Sequence, residues 1–246
     1  MIHPTAIVSD KAKIGKHVSI GAFTTIYENV IIGDETTIES YCEIGHPSPL
    51  DDQQHLVIGN NSFIRSYSLF YRGSVFGDRL VTGHRVTVRE KVIAGVNLQI
   101  GTLSDIQGDC IIGDYVRTHS NVHISKHSTL GNFVWIYPYV VLTNDPHPPS
   151  TCTAGVIVED YAVVATMSVV LPGVRIGTHS LVAAHSLVNR DVPPYFFVGG
   201  SPAKELGKTT KIKLRDESGQ SAYPWPRHFH RGYPDVVVKE WLEKFK

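Results

Sequence analysis

The 246-residue chain balances 23 basic against 23 acidic residues, with 42% hydrophobic and 19% charged positions. This is the composition of a globular protein, and it excludes disordered and fibrous classes as well as a whole-molecule field that would gather nucleic acid or an anionic membrane. No apolar run is long enough to span a bilayer, and the opening MIHPTAIVSD has neither a charged n-region nor an apolar h-region, so a cytoplasmic chain without signal peptide or membrane span is expected. Cys42, Cys110 and Cys152 are odd in number and form no CxxC, which argues against a disulfide framework or a cysteine zinc site.

A period of six organises most of the chain. Counting from Ile2, every sixth position is apolar to Ile44; a second run goes from Ile58 to Leu142 and a third from Val158 to Val188. Of these 29 positions 26 are Ile, Leu, Val or Phe, whereas those four types at 73 of 246 residues would fill only about nine by chance. The next residue is often Gly (Gly15, Gly33, Gly59, Gly77, Gly95, Gly113), as expected where a chain turns sharply, and the fourth is small or β-branched (Ala6, Val18, Thr24, Ser62, Ser74, Cys110) and predicted to face inward. Such a hexad is a strand plus a turn, and stacking it gives an all-β fold, a parallel β-helix over residues 1–192. The phase slips at 46–57 and 144–157, where Pro, Asp and Gly predict two loops excluded from the stack. Residues 193–246 form a C-terminal extension. Within it Asp235 is predicted to cap a terminal helix over 236–245, with Val237, Val238, Trp241, Leu242 and Phe245 on one face. The stretch YPWPRHFHRG (223–232) is expected to pack over the last coils rather than to contact a ligand, and its few basic and aromatic residues are weak evidence for single-stranded nucleic acid.

The repeat resembles that of the hexapeptide-repeat acyltransferases, whose left-handed β-helix places three hexads in each coil. With 18 residues per coil, the hexads TGHRVT, IGTLSD, THSNVH and IYPYVV, starting at 82, 100, 118 and 136, share one side of the prism. They depart from the plain pattern at His84, Arg85, Asp105, His119, Asn121, His123, Tyr137 and Tyr139. Asp105 and His123 are 18 apart and therefore stack on adjacent coils, close enough for a carboxylate to orient an imidazole. The neighbouring side adds Tyr71, Arg72, Arg89, Glu90, Gln107 and Asp109. Cys42 and Cys110 fall in the small inward column and are expected to be structural.

Two longer segments sharpen the resemblance. ATMSVVLPGVRIGTHSLVAAHSLVNRDVPPYFFVGGSPAK (165–204) is similar to the C-terminal signature of family members that use acyl-coenzyme A, which implies a pantetheine arm along Ala165, Ala183 and Ala184 and a phosphate near Lys204. At 183–186 the family's Gly-Ala-Gly-Ser reads Ala-Ala-His-Ser. Residues 58–204, with VTGHRVTVREKV and VWIYPYVVLTNDPHPPS, resemble the branch that N-acylates dTDP- or UDP-linked amino-dideoxy sugars for surface polysaccharides. That resemblance implies a homotrimer with sites between prisms. The residues themselves leave two readings of Arg65, Tyr71, Arg72 and Arg85, with His119 and Asn121: contacts to the nucleotide sugar, or a solvated face with cation–π pairs; Asp105 or Glu90 is expected to bind the amine and His84 or His123 to relay its proton. No resident metal is expected. The competing readings are an O-acyltransferase, including a serine or lipid A type enzyme, a metal-dependent hydratase resembling γ-class carbonic anhydrases through His84, His119 and His123, and a non-catalytic trimeric scaffold.

Overall fold

In the computed structural model, which describes residues 1–245, the hexads wind into a left-handed prism with three flat faces. Face one has ten strands from Ile7–Val8 to Leu187–Val188, face two nine from Lys13–Ile14 to Arg175–Ile176, and face three eleven from Ser19–Ile20 to Lys204–Lys208. Most strands are two residues long, too short to persist alone, and each is held by parallel pairing one coil away, as in Thr87 to Asp105 to His123 to Val141. The backbone donors are satisfied the same way: Asp105 N–H donates to Val122 O at 2.9 Å and His123 N–H to Val140 O at 3.0 Å.

The apolar column fills the interior, where Ile64 and Phe70 are fully buried and Phe76 nearly so. The small column does face inward, and its hydroxyls serve the turns. Ser62 Oγ donates to Gly59 O at 2.8 Å and accepts from Leu80 N–H at 3.2 Å. Two breaks in the apolar column, Thr82 and Thr118, are tolerated because each hydroxyl accepts a backbone N–H, from Arg65 at 2.9 Å and from Gly101 at 3.3 Å. Cys42 and Cys110 are buried and unpaired, and burial pushes both thiols up to about 11.

The glycine column has a different cause from the one the sequence suggested. The left-handed backbone at the corners falls two residues later, on side-chain-bearing positions such as His17, Phe23, Asn29, Glu35 and Tyr41, with φ from 56° to 61°. Gly15 has an ordinary φ, but a Cβ there would lie 2.7 Å from both Asp34 N and Gly33 C of the next coil. Glycine is therefore selected by the close stacking of coils, and the turn itself is made elsewhere.

Both predicted loops leave the stack. Ile31 pairs with Val57, 26 positions on, and Thr129 with Ile157, 28 on, so the loops add eight and ten residues to the 18 of a coil. Phe196–Gly199 still pairs parallel with Leu181–Val182, which carries face three past the predicted boundary at 192, before Lys204–Lys208 folds back antiparallel. The terminal helix spans Asp235–Lys244 rather than 236–245. Pro234 holds the N-cap position without a side-chain bond, and Asp235 instead opens the first turn, where its charge meets the positive helix end. Val237 and Trp241 are buried, but Leu242, predicted for the same face, is 47% exposed at the margin of the stripe. No helix among the described residues is long and apolar enough to cross a membrane.

At the corner between faces two and three, Tyr115, Phe133, Tyr161, His179 and Tyr195 stack in a ladder with centroids 4.6 to 5.0 Å apart. The C-terminal extension packs on it, and the 223–232 stretch reaches down the prism to Arg117 rather than staying over the last coils. Trp225 Nε1 donates to Tyr161 O at 3.2 Å, Trp135 Nε1 to Tyr233 OH at 2.7 Å, and Trp225, Tyr233, Val237 and Trp241 form a second core with Val163 and Leu181.

Candidate active site

Residue 105 points outward from face one because Ile106 points inward, and the 18-residue coil sets His123 beside it. His123 Nδ1 lies 3.1 Å from Asp105 Oδ2, and its Nε2 lies 3.2 Å from Ser125 Oγ. Gln107 Nε2 donates to Asp105 Oδ2 at 2.7 Å. Burial acts to raise the Asp105 carboxyl, but the hydrogen bonds from His123 and Gln107 together with the His123 and Arg89 charges outweigh it and hold it below the usual carboxylate range. The result is a carboxylate, imidazole and hydroxyl in sequence, with Asp105 and His123 about one-third exposed on an open face. An Asp105-bound Nδ1–H leaves Nε2 as the basic nitrogen. Ser125 was not foreseen, although its place two residues after His123 on the same outward row could have indicated it.

The structure does not bring Glu90 into this group. Its carboxylate is 4% exposed and takes Arg89 in a two-pronged pair, Nε to Oε2 at 2.9 Å and Nη2 to Oε1 at 3.0 Å, with Ser48 Oγ at 3.4 Å from Oε1. Burial alone would raise its carboxyl, and the Arg89 bonds bring the net below the usual value. Glu90 thus anchors the first excluded loop. Arg72 does the same through Asp51, Nε to Oδ2 at 2.7 Å, with the Asp51 carboxylate 1% exposed. Tyr71 carries Arg89 over its ring at 4.8 Å.

His84, Arg85 and Asn121 lie on the corner between faces three and one. His84 is half-exposed, its Nδ1 3.9 Å from Glu39 Oε2, a carboxylate oxygen that also accepts from Ser66. Arg85 and Asn121 occupy left-handed corner positions, with Arg85 over the Tyr67 ring at 5.5 Å. His119 stacks on Tyr137 at 4.7 Å. The three histidines of the hydratase reading therefore have separate partners, and no group of three His, Cys, Asp or Glu side chains among the described residues is placed to hold a metal ion.

Arg65 and His119 instead line a groove of about 530 Å³ on face three, beside Gly83, Gly101, Gln99, Arg117 and Trp135 and under Phe229 and Arg231 of the extension. Farther along the same row stand Ala165 and Ala183, whose amides bond Val182 O and Val198 O at 3.0 and 2.8 Å. Ala184 and Lys204 are exposed next to them, Lys204 pairing with Gly199 in the final hairpin.

The repeat and the three-sided coil define a hexapeptide-repeat protein of the left-handed β-helix class. The family model described as bacterial transferase hexapeptide (six repeats) matches residues 1–46. Among solved structures the chain is similar to a UDP-N-acetylglucosamine acyltransferase from Arabidopsis, 20% identical with a TM-score of 0.71 over 99% of this chain and 88% of that one. It is also similar to one from Campylobacter jejuni, 18% identical with a TM-score of 0.53 over 100% and 83%, and to LpxA from Acinetobacter baumannii, 18% identical with a TM-score of 0.50 over 99% and 90%. At these identities the likeness establishes the fold.

Proposed function

We propose that the protein is an acyltransferase that moves an acyl group from acyl-coenzyme A to the amino group of a dTDP- or UDP-linked amino-dideoxy sugar, for surface polysaccharide biosynthesis. The observation that carries this reading is the Asp105–His123 contact, 3.1 Å across two coils. In this mechanism the free amine attacks the thioester carbonyl, the new C–N bond forms, and the C–S bond breaks as thiolate departs. His123 Nε2 accepts the proton from nitrogen, directly or through the Ser125 hydroxyl, while Asp105 holds Nδ1–H and stabilises the imidazolium. An uncharged amine is a competent nucleophile, so alignment contributes more than base strength; a hydroxyl acceptor would lean on the base far more. The row through Ala165 and Ala183 offers small side chains over which a thioester arm can lie, with Lys204 as a charge for its phosphates.

The same reading makes the protein a homotrimer with sites between protomers. Phe23, Tyr41, Tyr67, Leu103, Tyr139 and Met167 form a ridge 46% to 57% exposed along the corner beside the pair, apolar enough to support self-association. The test is thiol release with a panel of acyl-coenzyme A donors and nucleotide-linked sugars bearing either an amine or a hydroxyl. Turnover with amino sugars whose kcat Asp105→Asn lowers about 100-fold or more is expected; turnover confined to hydroxyl acceptors, or to none, refutes it.

A further inference from the structure

The groove on face three is an unusual place for charge in this molecule. Arg65, Arg117 and Arg231 line it, no Asp or Glu does, and none of the three guanidinium groups meets a carboxylate among the described residues, although Arg72, Arg89 and Arg175 all do. Two of them are held in place from behind. Arg65 Nη1 donates to Thr82 O at 2.6 Å, and Arg117 Nη2 donates to Gly232 O at 2.7 Å while its guanidinium lies 4.7 Å from the Tyr233 ring centroid. Arg231 is exposed and enters no ion pair among the described residues. The outward rows carrying Arg65 and Arg117 are three coils apart, about 14 Å along the axis at ~4.8 Å per coil. Between them Gly83 and Gly101 leave the floor bare.

The rest of the lining is aromatic and hydroxylic. Trp135 and Phe229 meet edge to face at 5.3 Å, and Thr102 and Ser120 sit at the rim. Burial first, and then the charge of Arg117, lower the His119 pKa, so this ring lines the groove as a neutral surface at pH 7. A volume of about 530 Å³ is far more than a lone phosphate fills.

We propose that this groove, closed by the C-terminal extension, binds the pyrophosphate and base of a nucleoside pyrophosphate, with Arg65, Arg117 and Arg231 on the phosphates and Trp135 and Phe229 against the base. The assignment builds on the acyl-transfer reading, in which both substrates carry a nucleoside pyrophosphate, and it moves nucleotide recognition from Tyr71, Arg72 and Arg85 to the opposite side of the corner. Arg231 and Phe229 are specificity-determining residues supplied by the end of the chain.

The test is calorimetric titration of the full chain at low, fixed salt with UDP, dTDP, coenzyme A and inorganic pyrophosphate. At least one nucleotide is expected to bind more tightly than pyrophosphate. Arg231→Glu, and Gln99→Glu on the groove wall, should each weaken it about tenfold or more. Arg215→Glu, on an exposed loop, should leave it unchanged. Loss confined to UDP or dTDP assigns the groove to the sugar acceptor, and loss confined to coenzyme A to the acyl donor. The proposal is overturned if no nucleotide binds, if pyrophosphate binds as well as the nucleotides, or if both substitutions leave affinity within about twofold. Tryptophan fluorescence melts of each variant establish that the extension is still docked. Binding requires no turnover, so a protein that binds nucleotide through the groove without releasing thiol would lose the acyltransferase assignment and keep this one.

Discussion

His179 is a rung of the aromatic ladder, 4% exposed, stacked on Tyr161 at 4.6 Å and Tyr195 at 5.0 Å, with Phe245 of the C-terminal segment edge-on at 5.9 Å. Its Nδ1 has no hydrogen-bond partner among the described residues. Burial, reinforced by the nearby Lys244 ammonium, lowers its pKa from 6.5 to about 4. Between those values the unfolded chain binds a proton that the folded chain refuses, so stability is complete above pH 6.5 and declines as pH falls through about 4. At about 1.4 kcal/mol per pH unit the loss is on the order of 3 kcal/mol. For a chain of this size that corresponds to roughly 6–12 °C in Tm. Replacing His179 by Phe removes the titrating group and keeps the stack. The assay is thermal melting from pH 7.5 to 3.5 followed by intrinsic fluorescence, which suits the question because the chain's three tryptophans, Trp135, Trp225 and Trp241, all belong to this cluster. The difference between wild type and His179→Phe should grow as pH drops below 6.5 and level off near 4. Parallel curves across the range would refute the reasoning.

Other substitutions separate chemistry from architecture. Asp105→Asn keeps the shape but leaves His123 without its carboxylate, and kcat should fall about 100-fold or more with little change in KM; an unchanged kcat in steady-state thiol release removes Asp105 from the mechanism. Glu90→Gln should do the reverse, costing about 1–3 kcal/mol in denaturant melts by weakening the two-pronged bond to the partly exposed Arg89, with kcat within a few-fold of wild type. Gly101→Ala would place a Cβ 2.2 Å from the His119 carbonyl carbon, a rigid neighbour, and should destabilise by at least about 1–3 kcal/mol. Trp241→Ala should cost about 3–5 kcal/mol of extension docking, read as early loss of the near-ultraviolet circular dichroism signal while the β signal of the prism persists.

The prism was legible because its cause is periodic: one apolar side chain in six sets strand and turn, and the resemblance to hexapeptide-repeat acyltransferases supplied the three hexads of each coil. The Asp105–His123 contact was legible for the same reason, since stacking at 18 converts spacing directly into adjacency. Glu90 and Arg72 looked equally available in sequence, but their partners Ser48 and Asp51 sit in an excluded loop that obeys no period. The groove was hidden by distance along the chain. Arg117 and Gly232 are 115 residues apart, and nothing in the hexads says that the extension returns to face three rather than to another face. The glycines show a subtler limit, because a sharp turn and a close neighbour demand the same residue and only coordinates tell them apart.

The two bulging loops leave the pairing of the coils around them intact. Length can therefore be added or removed at these points without rotating any other side chain about the axis, so the periphery can diversify while the frame keeps its alignment. A protein built this way can exchange one short detour with every rung above and below it still in step.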